Sequence, residues 1–324
     1  MTFRIRLAVL ASLLAASPAP AAEVPTGPPF RSVADLRSAH DRALMRDLGD
    51  YLARNPRADD RDQAYMALFD TAIDHDWFGE AEPTARRYLE QEPDGAVRPL
   101  AQIVATMARA QTGQYAEALA QYKGLMEGLG GAEQQDFAVN FADSLASSAA
   151  AAGEPGVARR VYETLLERFA DNSELGLRVR GDIERLDRVG KPAPVVESED
   201  LTGQAIRLAD LKGKFVLVDF WATWCAPCVA ELPDLQATYA RYHPQGLEVV
   251  AVSLDDTKEA VSDFVGARKL PWRQVHNATG GGDWVGAFGV TKIPSTFLIG
   301  PDGVITRLDL RGPALQKALA ELIK

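Results

Sequence analysis

The hydrophobic positions between residues 30 and 188 recur at helical spacing, and strand-like alternation is almost absent there. Turn-forming residues interrupt this pattern at Asn55-Pro56, Glu92 to Gly95, Gly130-Gly131 and Gly153 to Pro155. Because helices end at turns of this composition, the pattern predicts an all-α region whose helices are each about 12–20 residues long.

Three of the predicted helices share one spacing of a glycine and a tyrosine. A glycine precedes each helix, a tyrosine follows nine residues later, and the repeat intervals are 34 and 40 residues. The pairs are Gly79 with Tyr88, Gly113 with Tyr122, and Gly153 with Tyr162. The segments 113–122 and 153–169 resemble the second helix of a tetratricopeptide (TPR) repeat, whose period is about 34 residues. The resemblance implies a TPR-like helical-repeat domain over residues 30–188 that binds a protein partner, and a generic helical bundle with chance tyrosine spacing is the alternative.

The helical pattern stops at Gly190-Lys191-Pro192-Ala193-Pro194, where two prolines favour extended backbone. Beyond it, short apolar and β-branched runs alternate with helical segments. The predicted strands are Phe215–Asp219, Leu247–Ser253, Thr296–Ile299 and Val304–Leu308. The predicted helices are Pro227–Tyr242, Thr257–Lys269 and Pro313–Ile323. This alternation predicts a separate α/β domain over residues 190–324, with helices covering a sheet.

The first of these strands runs directly into two cysteines three positions apart. The segment reads Asp219-Phe220-Trp221-Ala222-Thr223-Trp224-Cys225-Ala226-Pro227-Cys228, followed by Glu231-Leu232-Pro233. With residues 208–214 before it and residues 293–299 after it, this segment resembles the thioredoxin superfamily and, within it, the TlpA/ResA-like branch of exported thiol–disulfide oxidoreductases. The resemblance covers residues 190–324. It implies an α/β thioredoxin-like fold, a central mixed sheet flanked by helices, behind the helical-repeat domain.

The spacing of the two cysteines fits thiol–disulfide exchange. Cys225 is placed where a strand ends and a helix begins, and the unpaired N–H groups of a helix N-terminus favour a thiolate. We therefore expect Cys225 to be the exposed nucleophile and Cys228, one turn further in, to resolve the mixed disulfide. Pro227 suits the first turn of the helix, because no intrahelical hydrogen bond is lost there.

The resemblance assigns further residues to the site. Asp219 matches the buried aspartate that exchanges a proton with the inner cysteine, although many relatives carry asparagine there, and a hydrogen-bonded core residue is the alternative. Pro294 matches a proline with a cis peptide bond that faces the cysteines and exposes the backbone of Ile293 to a substrate peptide. Trp224 is expected at the apolar rim of the site. Glu231 follows the family pattern, and its role is either electrostatic tuning or helix solvation.

Composition narrows the possible chemistry. The chain has two cysteines and four scattered histidines, which supply no zinc-site spacing, so we expect no metal and no cofactor beyond the redox-active disulfide. The formal net charge of −10, without a basic run, argues against nucleic acid as a partner.

The first 22 residues have the features of an export signal. Arg4 and Arg6 precede a short apolar run from Leu7 to Ala16, and small residues follow up to Ala22. We expect cleavage after Ala21 or Ala22, a periplasmic mature protein and no membrane span in it; an uncleaved anchor or a frayed terminal helix is the alternative.

Three functional hypotheses follow. The first is a thiol–disulfide oxidoreductase that reduces substrate proteins and is recharged by a membrane thiol reductase. The second is an envelope scaffold or adaptor that works through the helical repeats, with the thioredoxin-like half as a redox-sensitive clasp. The third is a disulfide oxidase or isomerase that uses the same residues at another reduction potential.

Overall fold

The computed structural model describes residues 32–131 and 134–323, so the predicted signal peptide, residues 1–22, lies outside the described residues. Up to residue 186 the described chain is helical, as predicted. The helices are α1 (Val33–Arg54), α2 (Arg61–Asp74), α3 (Phe78–Gln91), α4 (Arg98–Gln111), α5 (Tyr115–Gly128), α6 (Gln135–Ala152), α7 (Pro155–Arg168) and α8 (Ser173–Leu186). Three of the four predicted interruptions fall between helices, and the fourth, Gly153 to Pro155, includes the first residue of α7.

The three repeat tyrosines, Tyr88, Tyr122 and Tyr162, are buried in α3, α5 and α7, each at most 1% exposed. Tyr122 and Tyr162 are seven residues after the first residue of their helix, whereas Tyr88 is ten residues after the first residue of α3. Consecutive helices pack on one another, α3 on α4, α4 on α5, and α6 on α7. One detail of the predicted repeat is wrong. Gly79 does not precede its helix, because α3 already begins at Phe78. The TPR interpretation itself stays a prediction.

The second part of the chain adds strands and further helices. They are β1 (Glu197–Glu199), β2 (Ala205–Arg207), β3 (Phe215–Trp221), α9 (Ala226–Tyr242), β4 (Leu247–Ser253), α10 (Lys258–Arg268), β5 (Arg273–His276), α11 (Trp284–Phe288), β6 (Ser295–Ile299), β7 (Ile305–Leu308) and α12 (Gly312–Leu322). The main sheet has the order β5-β4-β3-β6-β7. Because β3 pairs with β4 in parallel and with β6 antiparallel, the sheet is mixed, and the predicted thioredoxin-like fold class is confirmed.

Strand β3 lies in the middle of this sheet and is buried on both faces. It extends beyond its predicted end at Asp219, because Phe220 and Trp221 still pair with neighbouring strands. Alternation places Val216, Val218 and Phe220 on one face and Leu217, Asp219 and Trp221 on the other. The second face carries α9, so Asp219 points towards the helix that follows the cysteines.

The first face of the sheet packs into the core of the helical part. One cluster of buried side chains runs without a break from the helices to Val218 and Phe297 in the sheet. The residues from Met45 onward accordingly form one compact unit; of the other unit, residues 1–44, the structure describes the start of α1. The predicted linker is also packed, since Gly190 N–H and Ala193 N–H donate to carbonyls at Ile305 and Gly303. The domain boundary at residues 188–190 remains a prediction.

Candidate functional site

The cysteines lie where β3 gives way to α9. Cys225 is the N-cap residue of α9, and its Sγ accepts a hydrogen bond from the Cys228 backbone N–H at 3.3 Å. A sulfur in this position receives one of the N–H groups that a helix start leaves without an intrahelical partner. Pro227 occupies the first turn of α9 and is exposed, as expected for a proline at a helix start.

Cys225 and Cys228 are joined by a disulfide, with their Cα atoms 5.3 Å apart. The two residues are almost equally covered, at 5% and 4% exposure. In this disulfide-bonded state Cys225 is therefore not the more exposed cysteine that was expected, because both residues belong to the buried cluster that includes side chains of α9.

The loop between β3 and Cys225 is fixed by a buried carboxylate. Asp255 accepts hydrogen bonds from the Thr223 N–H, with 3.1 Å to each carboxylate oxygen, from the Thr223 hydroxyl, and from the Ser253 hydroxyl at 2.7 Å. The backbone carbonyl of Asp255 accepts a further bond from His276 Nε2 at 2.7 Å. The position of Cys225, two residues after Thr223, thus depends on contacts from β4 and β5.

A small cavity of about 20 Å³ lies under Cys228, with room for about one water molecule. It is lined by Leu217, Asp219, Cys228, Glu231, Leu232, Leu235, Pro294, Thr296, Leu310, Arg311, Gly312 and Leu315. The structure therefore brings four of the predicted site residues together, and it adds Arg311 and Thr296 to them. Because Asp219 and Cys228 line the same cavity, a proton can pass between the Asp219 carboxyl group and the Cys228 sulfur.

The charged side chains around this cavity shift the pKa of Asp219 in opposite directions. Burial, and after it the negative charge of Glu231, raise the pKa of Asp219, and the positive charge of Arg311 opposes both, so that the pKa is about 7. Burial also raises the pKa of Glu231, against the opposing charge of Arg311, whose Nη1 lies 3.7 Å from Glu231 Oε1. Glu231 thus faces the site as well as solvent, and tuning of Asp219 is the role that these contacts favour.

Pro294 lies across the cavity from α9, and its peptide bond with Ile293 is cis, as predicted. Its carbonyl accepts a hydrogen bond from Arg311 Nη2 at 2.8 Å. Ile293 is half-buried, whereas Trp224 beside Cys225 is 64% exposed and forms an apolar rim. The side chain of Arg311 therefore connects the proline segment to the carboxylates of the cavity.

Sequence reasoning missed Arg311 and Asp255. Arg311 follows β7, far along the chain from the cysteines, and nothing in its local sequence marks it. Asp255 stands in a run of two aspartates after an apolar strand, which indicates a loop as readily as an anchor. The carboxyl end of a buried strand next to β3 was the one available signal for Asp255, because such ends meet at one edge of the sheet.

Two further properties of the described residues concern metal binding and the crossing of a membrane. Among residues 32–131 and 134–323, no group of three or more His, Cys, Asp and Glu side chains is arranged to hold a metal ion. No helix in that part of the chain combines the length and apolar character needed to cross a bilayer.

The mixed sheet and the cysteine pair at the start of α9 define a thioredoxin-like protein. A family model described as AhpC/TSA matches residues 189–308. The chain is 36% identical over 136 residues to the thiol–disulfide oxidoreductase ResA of Bacillus thuringiensis subsp. konkukian, a match that covers 42% of this chain and 77% of that protein. It is 35% identical over 141 residues to ResA of Halalkalibacterium halodurans, covering 43% and 79%. The chain belongs to the family of ResA thiol–disulfide oxidoreductases.

Among solved structures, one similar chain is the crystal structure of the thioredoxin domain of a thiol–disulfide oxidoreductase from Bacteroides vulgatus. It shares 30% sequence identity, with a TM-score of 0.39, and the match covers 42% of this chain and 98% of that one.

Proposed function

We propose that this protein is a periplasmic reductant that exchanges a Cys225–Cys228 dithiol with disulfides in substrate proteins. The observation that carries the proposal is the position of the cysteine pair. It caps α9, faces the cis Pro294 and lies over the cavity that holds Asp219. These groups supply a nucleophile, a substrate-binding backbone and a proton carrier at one place.

The reaction balances as two exchanges. The Cys225 thiolate attacks one sulfur of the substrate disulfide, forming a mixed disulfide and expelling the other substrate sulfur as a thiolate. Cys228, giving its proton to Asp219, then attacks Cys225 Sγ, and the second substrate sulfur leaves as a thiolate. The substrate gains two electrons and the protein is left as the Cys225–Cys228 disulfide.

The position and pKa of Asp219 suit it to proton transfer in the resolution step. A carboxyl group with a pKa of about 7 can accept the Cys228 proton during resolution and release it near neutral pH. Trp224 then holds the substrate chain by apolar contact, and the backbone of Ile293, exposed by the cis bond to Pro294, holds it by main-chain pairing.

The proposal includes partners outside this chain. The oxidised protein must regain two electrons from a thiol donor, for which we propose a membrane thiol reductase, and the exchange requires no cofactor besides the cysteine pair. The helical-repeat domain would bind a protein partner. Export to the periplasm rests on the pattern of residues 1–22.

The test is the reduction potential of the cysteine pair, measured by equilibration with dithiothreitol or glutathione buffers. A potential near −270 mV, at about the thioredoxin end of the scale, is expected of a reductant. A potential near about −120 mV would instead make the protein a disulfide donor.

Variants test the assignment of the cysteines. Cys225→Ser should abolish insulin reduction, and Cys228→Ser should accumulate the mixed disulfide with substrate. Insulin reduction by Cys225→Ser at the wild-type rate would overturn the proposal.

A further inference from the structure

The segment Thr291–Ser295, which carries the cis Pro294, is tied to the helical part of the chain. Lys292 Nζ donates to Asp143 Oδ1 in α6 at 2.9 Å. The Thr291 hydroxyl donates to Asp182 Oδ1 in α8 at 3.3 Å, and Lys292 Nζ lies 3.8 Å from the same oxygen. Both residues immediately before Ile293 are thus held by carboxylates that belong to the helices.

The other end of the segment is held from the interior. Arg185 in α8 is 2% exposed, and its Nη1 donates to the Ser295 hydroxyl at 3.1 Å. The same guanidinium forms two bonds with Asp309, of 2.7 and 2.9 Å, which fix its plane. Ser295 directly follows Pro294, so this contact fixes the exit of the proline turn.

Backbone packing brings α8 close to the same segment. Gly181 lies so near to it that a Cβ at that position would stand 2.9 Å from Thr291 Cγ2. A side chain there would displace the Thr291 side chain, whose hydroxyl is the donor to Asp182.

We infer that helices α6 and α8 are the positioning frame of the substrate-binding segment, with Asp143, Asp182 and Arg185 as positioning residues that act through Lys292, Thr291 and Ser295. The inference rests on the proposed function. Ile293 lies between residues that the frame holds in place, and its backbone is available to pair with a substrate chain.

A preorganised segment binds a polypeptide more tightly, since less conformational entropy is lost on binding. Loosening the frame should therefore raise KM for a protein disulfide. It should leave the reaction with a small disulfide unchanged, because hydroxyethyl disulfide has no backbone to pair with Ile293. The reduction potential should also stay unchanged, as the cysteine pair itself is not touched.

The decisive variant is Lys292→Met, which keeps the length of the side chain and removes its charge. The Lys292 side chain is 31% exposed, so we expect the variant to fold. The full-length protein is assayed with insulin and with hydroxyethyl disulfide. We expect KM for insulin to rise about tenfold, or about 1.4 kcal/mol. Lys292→Arg, which keeps a cation near Asp143, should restore most of the affinity.

Arg273→Met is the matched control. It removes a cation–carboxylate contact of similar exposure, with Asp200 at 2.7 Å, together with bonds to two backbone carbonyls, on strand β5 at the far edge of the sheet. Its KM for insulin should stay within about twofold of the wild-type value. An equal rise in KM for Arg273→Met, or an equal loss on both substrates in Lys292→Met, would overturn the inference.

A double-mutant cycle with Asp143→Asn tests the helical partner directly. If Lys292 acts through Asp143, then Lys292→Met adds little to the effect of Asp143→Asn, and additive effects would contradict the inference. Hydrogen exchange at the amides of residues 291–296 provides a readout that needs no activity. It should accelerate in Lys292→Met and not in Arg273→Met. Loss of the proposed function would show as inactivity of the wild-type protein, whereas failure of the inference would show as unchanged exchange in an active protein.

Discussion

Asp219 brings an ionisable carboxyl group into the middle of the sheet, next to the inner cysteine. The group is 7% exposed, and burial is the largest cause that raises its pKa to about 7. A carboxyl group of this kind is mostly protonated below neutral pH in the folded protein, whereas in the unfolded chain it ionises from pH ~4 upward. Burying a carboxyl group costs free energy of folding, and the neighbouring residues of the strand are apolar. The presence of Asp219 at this position therefore points to a use in proton transfer.

The pH dependence of stability tests this property. Since the folded pKa is raised, the unfolded chain binds fewer protons than the folded one between pH ~4 and pH ~7, and stability falls as pH rises through that window. Asp219→Asn removes this contribution. Relative to the wild type, the variant should gain about 2–3 kcal/mol in free energy of unfolding between about pH 5 and about pH 8.

Urea unfolding of the disulfide-bonded protein measures this difference without thiol titration. Asp263→Asn, an exposed substitution on α10, is the control and should leave the pH dependence as it is. Parallel pH profiles for wild type and Asp219→Asn would show that Asp219 ionises normally in the fold.

At the scale of elements, the loops after β3, β4 and β5 act as one unit. Asp255, two residues beyond β4, ties Thr223 in front of the cysteines, and His276 at the end of β5 ties the backbone of Asp255. The approach of Cys225 to a substrate is thus set by two neighbouring strands as well as by α9.

Asp255→Asn should loosen this arrangement. The amide nitrogen replaces an acceptor with a donor, so at least one of the three donors on the carboxylate loses its partner, at a cost of about 1–3 kcal/mol in stability. The rate of thiol–disulfide exchange should fall about tenfold, less than the 10²-fold that a 1 Å displacement of a reacting group can cost.

Asp200→Asn is the comparison for this variant. Asp200 is also buried and accepts from the N–H and hydroxyl of Thr202, but it lies on the β1–β2 turn away from the cysteines. Asp200→Asn should lose stability to a similar extent as Asp255→Asn, and its rate of thiol–disulfide exchange should stay that of the wild type. Equal rates of thiol–disulfide exchange in Asp255→Asn and the wild type would show that the contacts of Asp255 with the loop do not affect catalysis.

How far sequence predicts structure also varies by element. The long apolar strands and α9 were predicted almost to the residue, because a buried run followed by a helix start leaves a clear periodic signal. Strands β1, β2 and β5 and helix α11 were missed, since each has at most five residues and the strands carry charged side chains. Arg311 and Arg185 could not be found, because their partners are distant in sequence and their contacts arise in the folded chain.

At the scale of the whole molecule, the helices and the sheet share buried charge as well as an apolar core. Arg185 in α8 and Asp309 after β7 are both nearly inaccessible, and Ser147 in α6 adds a hydrogen bond to Asp309 at 3.4 Å. Deleting residues 30–188 would leave Asp309 without its cation and expose the first face of the sheet. Such a deletion should unfold the protein, so point substitutions are the better way to separate an enzyme from a scaffold.

Arg185→Met should therefore destabilise the whole compact unit. It leaves the Asp309 carboxylate buried without its cation, which costs about 3–5 kcal/mol. Adding Asp309→Asn removes the stranded charge and should recover part of this loss, since asparagine tolerates the positive φ of 55° at that position.

Far-UV circular dichroism follows mainly the helices, and fluorescence follows mainly the sheet region, where four of the five tryptophans lie. Because one core joins the two parts, both signals should shift to a lower urea midpoint together in Arg185→Met. Separate midpoints would mean that the helices and the sheet unfold independently. A double variant less stable than Arg185→Met would mean that the unpaired charge of Asp309 is not the cause of the destabilisation.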